Sequence, residues 1–192
     1  MKDTVFIVAL REETGNSDEI LGCPVIYSGP GKINSSIAAC QAISRGFKNI
    51  INIGSCGSLK LEPGEIIKIG KVYQDIDFTP LCQYGETFLG DGSIYIEMDK
   101  SSDFTCFTTD YFFDCNQIGK YSENYIRMVN ECSIFDMECF AIAKSCISHS
   151  VNFNSYKWVS DDGHPEEWEK NQKDGFERAK EIIKNEYKEK GF

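Results

Sequence analysis

Apolar and polar positions along the chain fall into blocks of two kinds. Residues 4–10 form an almost unbroken apolar run, which predicts a buried strand, and residues 11–16 form a polar turn after it. A second short strand is predicted over 24–27, running into Ser28-Gly29-Pro30-Gly31. Residues 33–47 place Ile33, Ile37, Cys40 and Ile43 at the spacing of a helix face. Residues 49–53 read as a core strand ending at a Gly54-Ser55-Cys56-Gly57 turn, and 65–76 as one or two strands after Pro63-Gly64. The stretch 78–121 is the least regular, with short β-like runs at 94–98 and 104–108. A helical pattern follows Asp136 to about Ser148, with Met137, Phe140, Ala141 and Cys146 available for packing. Residues 156–159 predict a strand that stops at Ser160-Asp161-Asp162-Gly163. The tail, 174–190, predicts an amphipathic helix with Phe176, Ala179, Ile183 and Tyr187 turned inward. Strands alternating with helices give an α/β sandwich. With no repeat, low-complexity segment or linker, residues 1–192 are expected to form a single domain.

Charge and composition narrow the function. Thirty acidic residues against twenty basic ones give a net charge of −10, which repels phosphate backbones and anionic lipid. Nucleic-acid and membrane partners are therefore not expected, and no apolar stretch approaches spanning length. The N-terminus lacks the order of a signal peptide. Nine cysteines, an odd number with no Cys-x-x-Cys pair, read as reduced thiols of a cytoplasmic protein. With only His149 and His164, a zinc site is not expected.

In α/β proteins ligands collect at the carboxyl ends of strands. Three predicted strand ends carry polar groups: Arg11 to Thr14, Gly54 to Ser58, and Ser160 to Asp162. Each has a plain explanation. The glycines suit a turn, Asp136 and Glu138 suit the positive end of a helix, Glu13 suits an exposed turn, and Asp161 and Asp162 suit caps. Neither a Gly-x-Gly-x-x-Gly nor a Gly-x-x-x-x-Gly-Lys motif is present, which excludes the dinucleotide and P-loop readings.

Taken in order, however, the pieces resemble the superfamily of purine nucleoside phosphorylases and methylthioadenosine/S-adenosylhomocysteine nucleosidases. The matching segments are Ala9-Leu10-Arg11-Glu12-Glu13, Ser28-Gly29-Pro30-Gly31-Lys32-Ile33-Asn34, Asn52-Ile53-Gly54-Ser55-Cys56-Gly57, Asp75-Ile76-Asp77, Asp136-Met137-Glu138 and Val159-Ser160-Asp161. Thr109-Asp110-Tyr111-Phe112-Phe113 is similar to a further family segment. The resemblance implies an α/β/α sandwich around a mixed sheet, a purine nucleoside as substrate, no cofactor and a homodimer. It also implies roles. Glu13 would deprotonate the attacking water, with Ser55 beside it. Met137 would pack under the ribose and Glu138 accept its hydroxyls. Phe112 would stack on the purine and the Phe113 backbone read its edge. Asp161, steadied by Ser160, would protonate the leaving base.

The chemistry of such a set stands independently. Breaking a ribosyl C–N bond builds positive charge on the sugar and negative charge on the base, so an acid and a base on opposite sides serve it. An uncharged nucleoside is also compatible with the acidic chain. The superfamily divides by nucleophile. Phosphate needs cationic donors, yet the first loop here carries Glu13 and position 52 is Asn52. This favours hydrolysis, although Gly54-Ser55-Cys56-Gly57 resembles the phosphorylase branch. A phosphorylase or a catalytically silent nucleoside binder are the alternatives. Set against the pattern that the resemblance implies, the chain is short between residues 88 and 104, unusually aromatic over 111–114, and has Cys139 where the family commonly has a small residue. The first two features bear on which nucleoside is bound.

Overall fold

The computed structural model describes residues 3–87 and 89–189, so Lys190 of the predicted tail helix and Phe88 lie outside the described residues. Ten strands form one mixed sheet. In chain order the first elements are β1 (Thr4–Val8), β2 (Glu19–Ile20) and β3 (Cys23–Tyr27). After α1 (Lys32–Ser44) comes β4 (Asn49–Gly57), then β5 (Ile66–Lys68), β6 (Lys71–Gln74), β7 (Tyr95–Glu97) and β8 (Thr105–Thr108). The second half holds α2 (Glu123–Glu131), β9 (Ile134–Asp136), α3 (Cys139–Ser148), β10 (Asn152–Asp161), α4 (Pro165–Asn171) and α5 (Phe176–Glu189). β1 lies between β3 and β4, all parallel, and β10 runs parallel to β4 along its length. The far end of β4 touches β9 at one antiparallel pair, Gly57 with Phe135, and β9, β8 and β6 continue in parallel.

Strand alternation produces the layers. On β1, Val5 and Ile7 join Ala38, Ala39 and Ala42 of α1 and Ile142 and Cys146 of α3. Phe6 and Val8 point the other way, to a cluster with Tyr156, Trp158 and the α5 residues Phe176, Ala179, Ile183 and Tyr187. The predicted α/β/α sandwich is therefore present, and the inward stripe of α5 is the predicted one. Each large apolar side chain buried this way contributes about 1.5–3 kcal/mol. Among the described residues no helix is long and apolar enough to cross a membrane.

Several predicted elements shift. β1 ends at Val8, because the chain turns into a 3₁₀ segment, Arg11–Thr14. Most of the face predicted for α1 is outside: Ile33 and Ile37 are 76% and 53% exposed and Cys40 is exposed as well, while Ile43 packs at the edge of the core. The helix instead buries Ser35, Ala38, Ala39 and Ala42, an equally helical set whose small side chains let α1 lie close to α3 and the sheet. The predicted turn Gly54-Ser55-Cys56-Gly57 is the second half of β4, hydrogen-bonded to β10 throughout. β10 is longer than 156–159, starting at Asn152. Asp136 ends β9, so α3 begins only at Cys139.

Gly57 marks where the two halves of the sheet cross. A Cβ there would lie 2.0 Å from Cε2 of Phe135, so only glycine admits the ring. Gly57→Ala is expected to destabilise the protein by about 1–3 kcal/mol through overpacking. Urea unfolding checks this, and an unchanged midpoint would refute the steric account.

Candidate active site

The strand ends converge on a cavity of about 340 Å³. Of the sequence-predicted residues, Glu13, Ser55, Phe112, Phe113, Met137, Glu138 and Asp161 line it. Ser160 lies behind the wall and reaches it through Asp161. The rest of the lining is largely apolar, including Ala9, Leu10, Pro30, Phe135 and Trp168.

Glu13 reaches the cavity because the 3₁₀ segment folds it under the end of β1, where it is 3% exposed. Its Oε1 accepts the Ser55 amide at 2.8 Å and the Ser55 hydroxyl at 2.7 Å, and Oε2 accepts the Leu10 amide at 3.1 Å. Burial raises its pKa above the ordinary carboxylate value, while the Ser55 and Leu10 donors pull against that rise. Gly54 leaves room for this carboxylate: a Cβ there would approach Oε1 to 3.2 Å.

Glu138 sits between β9 and α3. Its Oε1 accepts the Gly31 amide at 3.2 Å, and Oε2 faces Lys157 Nζ at 3.4 Å. Burial pushes its pKa to about 7; Lys157 opposes the rise, and Asp136 and Glu13 add to it. Lys157 is itself 1% exposed and lies 2.9 Å from Asp136 Oδ2. Burial would raise Asp136 too, yet Lys157, Thr108 and the Cys139 amide hold it below the usual range. Asp136, Cys106 and Cys139 offer ligand atoms within 4.8 Å of one another. A cation there would have to displace the Lys157 ammonium, and Asp136 already accepts from Thr108, Cys106 and the Cys139 amide. The cluster is a charge-neutralised hydrogen-bond network.

Asp161 closes β10, where the register slips between Val159 and Asp161. Such a bulge re-aims a side chain. Its Oδ2 accepts from Ser160 Oγ at 2.8 Å and Oδ1 from the Gly163 amide at 3.0 Å. Ser160 Oγ also lies 3.0 Å from the Cys56 carbonyl, so its one proton is shared. Burial raises the Asp161 pKa, and Asp162 and Glu167 raise it further.

The aromatic wall divides in two. Phe112 is 42% exposed and meets Trp168 edge-on at 5.6 Å, whereas Phe113 is buried against Phe135 at 5.1 Å. Trp168 also donates from Nε1 to Ser55 Oγ at 3.3 Å, completing a chain that ends on Glu13. Trp168 and Lys157 were not among the residues expected from the sequence. Lys157 had a signal, a single charge inside the apolar run Tyr156-Lys157-Trp158-Val159. Trp168 arrives through α4, whose start is marked by Pro165 at the first helical turn.

No protein-family model and no curated protein matches the sequence. Solved structures do. Futalosine hydrolase of Helicobacter pylori superposes with a TM-score of 0.80 at 18% identity, covering 97% of each chain. The 5′-methylthioadenosine/S-adenosylhomocysteine nucleosidase of the same organism, solved with butyl-thio-DADMe-Immucillin-A, gives the same figures. The corresponding nucleosidase of S. pneumoniae, bound to a transition-state inhibitor, gives 0.77 at 19%, covering 94% of this chain and 96% of that one. The chain therefore has the α/β/α fold seen in the solved nucleosidases.

Proposed function

We propose that this chain hydrolyses the N-glycosidic bond of a purine nucleoside. The observation that carries the reading is a largely apolar cavity walled by four buried carboxyl groups, of which Asp136 is paired with Lys157 while Glu13, Glu138 and Asp161 are left for a ligand. Their surroundings differ in a way that assigns protons. Burial raises both pKa values, but at Glu13 three hydrogen bonds and the charge of Lys157 pull towards the ionised form, whereas at Asp161 two hydrogen bonds do so against the like charges of Asp162 and Glu167. Glu13 accordingly takes a proton from water, and Asp161 donates one to the purine. Glu138 accepts the ribose hydroxyls, Met137 packs beneath the sugar, and Phe112 stacks on the base with the Phe113 backbone at its edge. Ser55 and Ser160 orient the two catalytic carboxyl groups. The roles require no cofactor.

Water is the favoured nucleophile. Among the described residues, none lining the cavity is an arginine or lysine, and a phosphate dianion would face the Glu13 carboxylate. The strand conformation of Gly54 to Gly57 leaves no loop there to wrap an anion. Methylthioadenosine, S-adenosylhomocysteine and related 5′-substituted purine nucleosides are the proposed substrates, in keeping with the proteins that share the fold. A single cytoplasmic domain and a homodimer complete the proposal. Ile33 and Ile37, exposed on α1, which follows Pro30 of the cavity lining, support a covering second copy. Light scattering that finds only monomer would refute the dimer.

The direct test supplies a panel of purine nucleosides with and without phosphate and follows free base by chromatography. Base release without phosphate is expected, and strict phosphate dependence would overturn the hydrolytic reading.

Glu138 yields a prediction with opposite signs for stability and function. Its folded pKa of about 7 lies above the ordinary value of 4.5, so its favourable contribution is complete below 4.5 and lost as pH rises through 7. At pH 8 the buried charge opposes folding. Glu138→Gln is expected to raise the melting midpoint there by roughly 4 °C while weakening nucleoside binding. Calorimetry checks the first part, and a lowered midpoint at pH 8 would refute it.

A further inference from the structure

We infer that Cys115, His164 and Asp162 form a covalent-modification site for small uncharged electrophiles, coupled to the proposed acid Asp161. The three lie outside the cavity lining. Cys115 opens the 3₁₀ segment Cys115–Lys120, and Asp162 and His164 occupy the loop between β10 and α4. Cys115 Sγ is 3.0 Å from His164 Nε2, and Asp162 Oδ1 accepts from Nδ1 of the same ring. Asp162 thus fixes the tautomer, leaving Nε2 to take the thiol proton. Nucleophile, base and base-orienting acid within hydrogen-bond reach is the arrangement that activates a weak nucleophile.

Burial and the nearby Asp114 and Asp162 keep the thiol protonated at rest, so its reactivity depends on His164 during attack. In alkylation by iodoacetamide, the thiol proton passes to Nε2, the Sγ–C bond forms and the C–I bond breaks, with iodide leaving. The carboxylates of Asp114, Asp162 and Glu166 around the thiol disfavour an anionic reagent.

The coupling to Asp161 runs through Gly163, and this part rests on the proposed function. The Cys115 amide donates to the Gly163 carbonyl at 2.9 Å, and the Gly163 amide donates to Asp161 Oδ1 at 3.0 Å. A Cβ at Gly163 would meet Phe113 at 2.7 Å, so Gly163 is held tightly against that ring, with Cys115 at ordinary contact distance. An adduct on Sγ that shifts Cys115 acts on Gly163 through the hydrogen bond between their backbones and loosens its hold on Asp161.

Time-resolved alkylation with peptide mapping tests this, using the exposed Cys40 as internal reference. Iodoacetamide is expected to label Cys115 faster than Cys40, and His164→Ala to slow Cys115 about 10²-fold without changing Cys40. Asp162→Asn is expected to give a smaller slowing. Equal rates at the two cysteines, or no effect of His164→Ala, would overturn the site. Iodoacetate should be disfavoured more at Cys115 than at Cys40, and equal ratios would overturn the charge selection. Buried Cys106, Cys139 and Cys146 report folding, since an unfolded variant would label at all three. These rates are measured whether or not the protein releases base, so failure of the proposed function leaves them readable. Where base is released, activity should fall in step with the Cys115 adduct and Cys115→Ser should be spared. Full activity of the adduct would overturn the coupling.

Discussion

Replacing Asp161 by asparagine is expected to slow release of purine base by about 10²–10⁴-fold, the usual contribution of a positioned general acid. The amide keeps the shape of the side chain and can still accept from the Gly163 amide, so the loop after β10 should stay in place. What it lacks is a proton that can be given to the leaving base. Binding of a nucleoside should therefore be nearly unchanged while turnover collapses, a split between Kd and kcat that a misfolded site would not produce. The pH profile supplies a second check. Burial with Asp162 and Glu167 nearby raises the Asp161 pKa, so the wild-type rate should fall as pH rises through that raised value. The residual activity of Asp161→Asn should lack this limb. Full turnover in the variant would remove Asp161 from the mechanism and make Asp162 the next candidate.

How much of this site could be read before folding depends on the kind of signal each residue left. Glu13, Glu138 and Asp161 stand in ordered motifs at strand ends, and chain order carries over to a fold in which those ends converge. The strands of the core were legible because both faces are buried, giving continuous apolar runs such as Val5-Phe6-Ile7-Val8. The face of α1 was not, because close packing against α3 selected alanines over isoleucines, a choice made by tertiary contact rather than hydrophobicity. β9 is three residues long and has no periodicity to detect. α2 left a readable mark, Ser122 capping the Tyr125 amide with Tyr125, Met128 and Val129 on one face, but lies in a stretch dominated by polar residues. Lys157 illustrates the deepest limit. Its charge is visible in the sequence, but that two acids surround it is a fact of the sheet and α3 together.

That surrounding makes Lys157 the residue whose loss should cost the most stability. Lys157→Met keeps the length of the stem and removes only the charge, leaving Asp136, fully buried, without its cation. Stranding one member of a buried pair typically costs about 3–5 kcal/mol. The hydroxyl of Thr108 and the amide of Cys139 still donate to Asp136, but neither cancels a net charge. The double variant Lys157→Met with Asp136→Asn should recover most of the loss, because it removes the anion as well as its partner. The pH dependence carries the sign. In the wild type Asp136 titrates below its ordinary value, so its contribution is present above that value and lost as pH falls through the lowered one. Lys157 titrates above its ordinary value, so its contribution is complete below it and lost only in strong alkali. The pair is therefore fully effective near neutrality. In Lys157→Met the cation no longer offsets burial, which the Thr108 and Cys139 donors oppose only in part, so the Asp136 pKa rises and acidification relieves the variant by protonating the stranded carboxylate. The stability gap between the two proteins should narrow from pH 7 to pH 5, as measured by urea unfolding. A gap of the same size at both values would mean that lost packing, rather than an uncompensated charge, is what the substitution exposes.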